Sequence, residues 1–149
     1  MSLFEQVSKD IMAAMKAKDK VRLDALRNIK KYFIEAKTAP GATNELADAD
    51  ALKIIAKLVK QSRESAALYK ENGRAELATE ETAQADVMES YLPKPLSAED
   101  LETFLKNLIQ QTGAVSMKDM GKVMGMASQQ LAGKADGKAI SQIVKKLLS

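Results

Sequence analysis

The side chains best placed to do chemistry gather near the C-terminus. From Ser116 to Lys138 the chain reads S-M-K-D-M-G-K-V-M-G-M-A-S-Q-Q-L-A-G-K-A-D-G-K, with four glycines, four methionines, four lysines and two acids, Asp119 and Asp136. Gly121 and Gly125 lie four apart, which sets them on one face of a helix. That face carries almost no side-chain bulk, so another molecule can approach its backbone closely. Lys118 and Lys122 repeat the spacing beside it, and Gly133-Lys134-Ala135-Asp136-Gly137-Lys138 forms a basic turn before the last helix. Lysines around bare backbone suit contact with phosphate and shape; stacking on bases needs aromatics. Helix starts near Ser116 and Asp136 add N–H groups able to face an anion. The candidate nucleic-acid-binding set is therefore Lys118, Lys122, Gly121, Gly125, Lys134, Gly137 and Lys138.

Two other readings of the same glycines stand beside this one. They could let two helices of a bundle pack closely, with Met117, Met120, Met124 and Met126 filling the gaps. They could also form a docking face for a partner helix, since methionine-rich surfaces repack around different partners.

Catalysis has little to work with. The 149 residues include no cysteine and no histidine, so a His-based triad, a cysteine nucleophile and the usual zinc, haem and iron–sulfur ligands are unavailable. No acidic cluster favours an oxygen-ligated metal. Ser128 and Ser141 lie in no recognisable nucleophile setting. No catalytic residue, metal or cofactor is expected. The longest apolar runs are a few residues, too short to span a membrane, and the start does not resemble a signal peptide. A reducing, cytoplasmic setting is the expectation.

The elements that must position the lysines are helices. Aromatics are 4% of the chain and apolar volume comes from Ala, Leu, Ile, Val and Met, a profile that suits packed helices over sheets. Ser2 caps a first helix to about Lys16, with Leu3, Val7, Ile11, Ala14 and Met15 inward; Asp19 caps a second to Lys37. Thr38–Ala47 is a loop. Asp48 or Asp50 caps a long third helix that ends before Gly73, in which Lys60 and Glu64 form an i,i+4 pair. A fourth runs from about Ala75 to Ser90. Tyr91-Leu92-Pro93-Lys94-Pro95-Leu96 then forces extended backbone, with Tyr91 and Leu92 plugging the end of the first bundle. Ser97 and Asp100 resemble a capping box, Gly113 stops the fifth helix, and Ser116 with Asp119 caps the glycine helix. The expected architecture is all-α: an N-terminal domain of about four helices over 1–92, a linker at 93–96 and a three-helix C-terminal domain over 97–149.

Charge is uneven along this chain. Residues 1–37 carry a net +4, residues 38–96 a net −3, and the stretch from Gly113 onward a net +4. Basic ends flanking an acidic middle favour a polyanion partner at either end.

Several segments in order resemble one family: Leu23-x-x-Leu26-Arg27-x-Ile29-Lys30, Lys60-Gln61-x-Arg63-Glu64-Ser65, Gly73-Arg74-x-x-Leu77-Ala78-x-x-Glu81, Tyr91-Leu92-Pro93, Asp119-Met120-Gly121-Lys122-Val123-Met124-Gly125, and Gly133-Lys134-Ala135-Asp136-Gly137-Lys138. Together they look like the GatB/YqeY family, in its free-standing form. The resemblance implies an all-α fold and a C-terminal module similar to the tail of the GatB subunit of tRNA-dependent amidotransferase, where it helps hold tRNA. It thus implies tRNA as partner and a place in translation. The activity associated with the family, carbon–nitrogen ligation with glutamine as amido donor, belongs to other domains and subunits and is not expected to be intrinsic here. Ser62 and Gln84 depart from the pattern, which usually has a basic residue and a glutamate there.

Overall fold

The computed structural model describes residues 1–149, all in helices and connecting turns, with no strand. In order these are α1 (Leu3–Ala17), α2 (Lys20–Thr38), α3 (Asp48–Glu71), α4 (Ala75–Glu89), α5 (Ala98–Thr112), a 3₁₀ turn (Met117–Asp119), α6 (Met120–Gln130) and α7 (Gly137–Leu148). They form two compact units, Met1–Leu92 and Pro93–Ser149.

In the first unit α2 is the hub, packing against α1, α3 and α4. It is amphipathic by spacing: Leu26, Ile29 and Phe33 recur at three and four residues, Ala25 lies four before Ile29, and all four are fully buried. Val7, Ile11 and Ala14 from α1, Ala51, Ile55, Leu58 and Val59 from α3, and Met88 from α4 complete that core. Met15, expected to face inward, is 53% exposed. It is followed at Lys18 by a left-handed residue (φ 57°) that turns the chain at once into α2. Ser2 and Glu5 close a full capping box on α1, and the Asp19 carboxylate accepts from the Arg22 N–H at 3.1 Å.

The start of α3 differs from expectation. Ala47 stands at its cap and makes no side-chain bond. Asp48 lies inside the first turn and accepts instead from the Leu3 N–H at 2.9 Å, so it fastens α3 to the start of α1. Asp48 and Asp50 still favour that end through the helix dipole. The expected Lys60–Glu64 pair does not form. Arg63 bridges from α3 to α4, donating to Asp86 at 2.9 Å and to Glu89. Ser62, 8% exposed, lies on the buried side of α3; a long basic side chain there would have to bend out past its neighbours.

α3 and α4 are joined by a short turn in which Gly73 takes φ 73°, open to glycine at no steric cost. Alanines at 66, 78, 83 and 85 keep side-chain bulk small where the two helices run together. After α4, Tyr91 and Leu92 pack on the core. The Tyr91 hydroxyl donates to the Asp10 carboxylate, which also accepts from Gln6 Nε2 at 2.9 Å. Burial first, then that hydrogen bond and the Asp10 charge, hold the Tyr91 phenol far above its ordinary pKa.

In the second unit, Leu101, Leu105 and Leu108 of α5 meet Val123 and Ala127 of α6 and Ile140, Val144 and Leu148 of α7, with Leu131 from the turn between α6 and α7. Ser97 accepts from the Asp100 N–H at 3.1 Å. The return bond of a capping box is missing, because aspartate is one methylene shorter than glutamate. Gly113 ends α5 at φ 72°. The Leu96 N–H donates to the Lys134 carbonyl at 3.0 Å, which ties the end of the proline segment to the turn carrying Gly133 and Lys134.

Candidate nucleic-acid interface

The glycine helix is entered through a tighter turn than the sequence suggests. Ser116 Oγ accepts from the Lys118 N–H at 3.4 Å and so caps the 3₁₀ turn, not α6. Asp119 stands at the start of α6 without bonding to it; its carboxylate reaches back to the Val115 N–H at 3.0 Å. At the other end of the site, Asp136 accepts from the Lys138 N–H at 3.1 Å. Its carboxylate thus occupies the position an anion would take at the start of α7, and the expected backbone phosphate site there is already filled from within the chain. Any anion contact at these ends rests on lysine side chains.

Within α6, Val123 and Ala127 are buried, and Met120 and Met124 pack against the same core. This inward stripe is set by spacings of three and four. Gly121 and Gly125 are consequently turned to the surface, and both are exposed. A Cβ built on either meets nothing within 4 Å. The close-packing reading of these glycines within the three-helix bundle is therefore wrong: neither α5 nor α7 lies against them. Of the four methionines only Met120 and Met124 fill core space, while Met117 and Met126 remain 43% and 37% exposed.

The four candidate lysines fall into two pairs. Lys118 and Lys122 flank the start of α6; Lys134 and Lys138 flank the turn beyond its end. α6 itself, eleven residues at a rise of 1.5 Å, is about 16 Å long, and Lys122 lies in its first turn. All four are exposed, and none takes part in an ion pair. Gly137 is the first residue of α7, exposed and with open space at its Cβ position. The structure thus strings the seven residues along α6 and its two ends.

Two surface features carry little or no mark in the sequence. Val115 is 86% exposed in the turn before the 3₁₀ segment; only the short, irregular spacing between Gly113 and Ser116 hints that it is unburied. Lys145 on the outer side of α7 is also exposed and unpaired, whereas Lys146 and Lys106 both reach toward Glu102, at 3.7 and 3.8 Å. Nothing in the local sequence marks that distinction, since Glu102 arrives from α5.

Ser128 and Ser141 make no hydrogen bond to a lysine or a carboxylate, and no three acidic side chains converge as metal ligands do. What the arrangement offers is four exposed, unpaired lysines around two glycines with open space at their Cβ positions.

Comparison with known proteins decides the kinship. A family model described as "Yqey-like protein" matches residues 4–148. The chain belongs to the YqeY-like family. Among its relatives is "Altered inheritance of mitochondria protein 41, mitochondrial" from Vanderwaltozyma polyspora, 30% identical over 124 aligned residues, which cover 76% of this chain and 64% of that protein. The YqeY-like chain spans just under two thirds of that relative's length. No helix is long and apolar enough to cross a membrane.

Proposed function

We propose that this YqeY-like chain is a tRNA-contacting accessory module, with the surface along α6 as its contact face. One observation carries the reading. Gly125 occupies an open position inside α6, where it costs about 1 kcal/mol relative to alanine, Gly121 is equally open in the first turn, and a Cβ at either meets nothing within 4 Å. Space kept clear at that cost fits an external molecule approaching the helix backbone. Unpaired lysines at both ends of α6 make a polyanion the favoured visitor. The resemblance of the Asp119–Gly125 and Gly133–Lys138 motifs to the tail of the amidotransferase GatB subunit points to tRNA among polyanions. Glutamine-dependent carbon–nitrogen ligation would then reside in partner subunits. The cytoplasm is the proposed setting; the relative's own name places that protein in mitochondria, and cell fractionation tests which compartment holds this one.

The test is a salt titration of tRNA binding. Lys118, Lys122, Lys134 and Lys138 are each changed to Gln, singly and together. Every lysine–phosphate interaction removed should flatten the slope of log K against log salt by about 0.7–0.9, while stability stays within about 0.5 kcal/mol, as for other exposed sites. Unchanged binding in the fourfold variant would overturn the reading. The exposed Met117 and Met126 beside the glycine face favour one second reading, a protein partner docking its helix there. A specific partner that survives RNase treatment and no longer binds after Gly125→Leu would put that reading first.

A further inference from the structure

The acidic middle of the chain contains a stretch of the opposite character. From Ala51 to Arg63 it reads A-L-K-I-I-A-K-L-V-K-Q-S-R, four bases and no acid, although residues 38–96 as a whole carry a net −3. All of it lies in α3. Ile55, Leu58, Val59 and Ser62 turn into the first unit, and that inward stripe leaves Lys53, Lys57 and Lys60 on the outer side. Their spacings of four and three place them on successive turns of one face, spread over about 10 Å of helix axis. All three are exposed.

Arg63 and the three lysines meet different fates. Arg63 is taken up by Asp86 and Glu89 of α4. Every other ion pair in the chain involves Lys106 or Lys146, so the three lysines are bound by no element of the fold. Asp50 and Glu64 stand one turn beyond either end of the row and close no pair with it. For Lys60 and Glu64 the order is the weaker one, with the base N-terminal to the acid. A row of like charges on adjacent turns repels itself by a few tenths of a kcal/mol per pair, and no ion pair within the chain offsets it.

We propose that Lys53, Lys57 and Lys60 form a second RNA-backbone contact, on the first unit, acting together with the α6 surface of the second. The spacing suits this partner: about 10 Å of duplex axis presents on the order of six phosphate charges, counting both strands. Two such surfaces on one chain make the second binding event intramolecular and raise avidity beyond that of either alone. The inference rests on the RNA reading of the α6 surface, and its test separates the two.

Full-length chains are titrated with unfractionated tRNA at about 50 and 200 mM salt: the native chain, the Lys53/Lys57/Lys60→Gln triple variant, the α6 fourfold variant and a triple Lys→Arg variant that keeps the charge. Circular dichroism confirms that each is folded. Removing three lysine–phosphate interactions should shrink the affinity drop across that salt range by about 20–40-fold, from a slope change of roughly 0.7–0.9 per phosphate, and the Lys→Arg chain should bind like the native one. If the triple Gln variant keeps the native slope while the fourfold variant loses it, the second contact is refuted and the α6 reading stands. If only the triple variant loses binding, the α6 reading fails and the α3 row stands alone. If tRNA binding is unaffected but binding to phosphatidylserine vesicles disappears in the triple variant, the row serves a membrane surface and the inference is overturned. No tRNA binding by the native chain refutes both.

Discussion

Gly121 and Gly125 put the sharpest question at the scale of single residues. In open helical positions, Gly→Ala should raise stability by about 0.5–1 kcal/mol each, since alanine removes backbone freedom from the unfolded chain and fills no occupied space. The melting temperature of Gly121→Ala and Gly125→Ala should therefore rise while tRNA affinity falls; a falling melting temperature would mean the glycines are needed by the fold after all. Their identity is plain in the sequence. Whether a neighbour sits against them is not, because a four-residue spacing fixes a shared face and leaves open what that face meets. Tyr91 poses a second question. Its phenol is held protonated by burial and by the Asp10 carboxylate, so its folded pKa lies above the unfolded value. Its contribution is then complete below about pH 10, where an unfolded tyrosine begins to ionise, and fades as pH rises beyond it. Tyr91→Phe should cost about 1–2 kcal/mol at neutral pH, because the bond to a charged acceptor goes with the hydroxyl. The gap between variant and native should narrow above about pH 10, as chemical denaturation at a series of pH values would reveal.

Among the elements, α3 carries the most information that periodicity could not supply. The family-like segment Lys60-Gln61-x-Arg63-Glu64-Ser65 looks in sequence like one polar run with an internal ion pair. In the fold its members divide by direction: Ser62 inward, Arg63 across to α4, Lys60 out to solvent. The two carboxylates hold the Arg63 guanidinium firmly protonated, Glu89 contributing most. Because Arg63 is 42% exposed on its side chain, its two bonds are worth little, and Arg63→Gln should cost about 0.5–1 kcal/mol, less at high salt. Urea denaturation at two ionic strengths would check both parts. The cap of α7 is legible from Asp136 alone, and its replacement by alanine should cost about 1 kcal/mol. The entry to α6 is not: Ser116 and Asp119 have the right types and spacing for a cap, yet the intervening residues close a 3₁₀ turn and Asp119 turns back to Val115. Two side chains competing for nearby N–H groups give no sign in sequence of which one each will take.

For the whole molecule, the break between Leu92 and Pro93 has a thermodynamic consequence. The first unit is four helices with Phe33, Leu26, Ile29, Ile55 and Met88 fully enclosed. The second has about 60 residues, near the size at which burial barely offsets chain entropy. Cleavage near Lys94, at a protease site introduced into the exposed segment between the units, should release two helical pieces, with the larger melting at the higher temperature. A single transition in the intact chain, with neither piece helical alone, would show the units to be interdependent. If the two proposed surfaces both contact tRNA, cleavage should also lower tRNA affinity, since the linked second event becomes bimolecular.

Composition and three-to-four-residue spacing are enough to determine that this chain is all helix, where Asp19, Ser97 and Asp136 cap, where Gly73 and Gly113 turn, and which segments carry positive charge. These depend on local sterics and on the solvation of single faces, both of which neighbours in sequence dictate. Only tertiary packing decided that the α6 glycines face open space, that Asp48 serves α1, and that Arg63 leaves Lys60 and its companions unpaired. Each of those outcomes depends on which atom arrives from a distant part of the chain. Burial and hydrogen bonding then choose among partners whose side-chain types alone are equivalent.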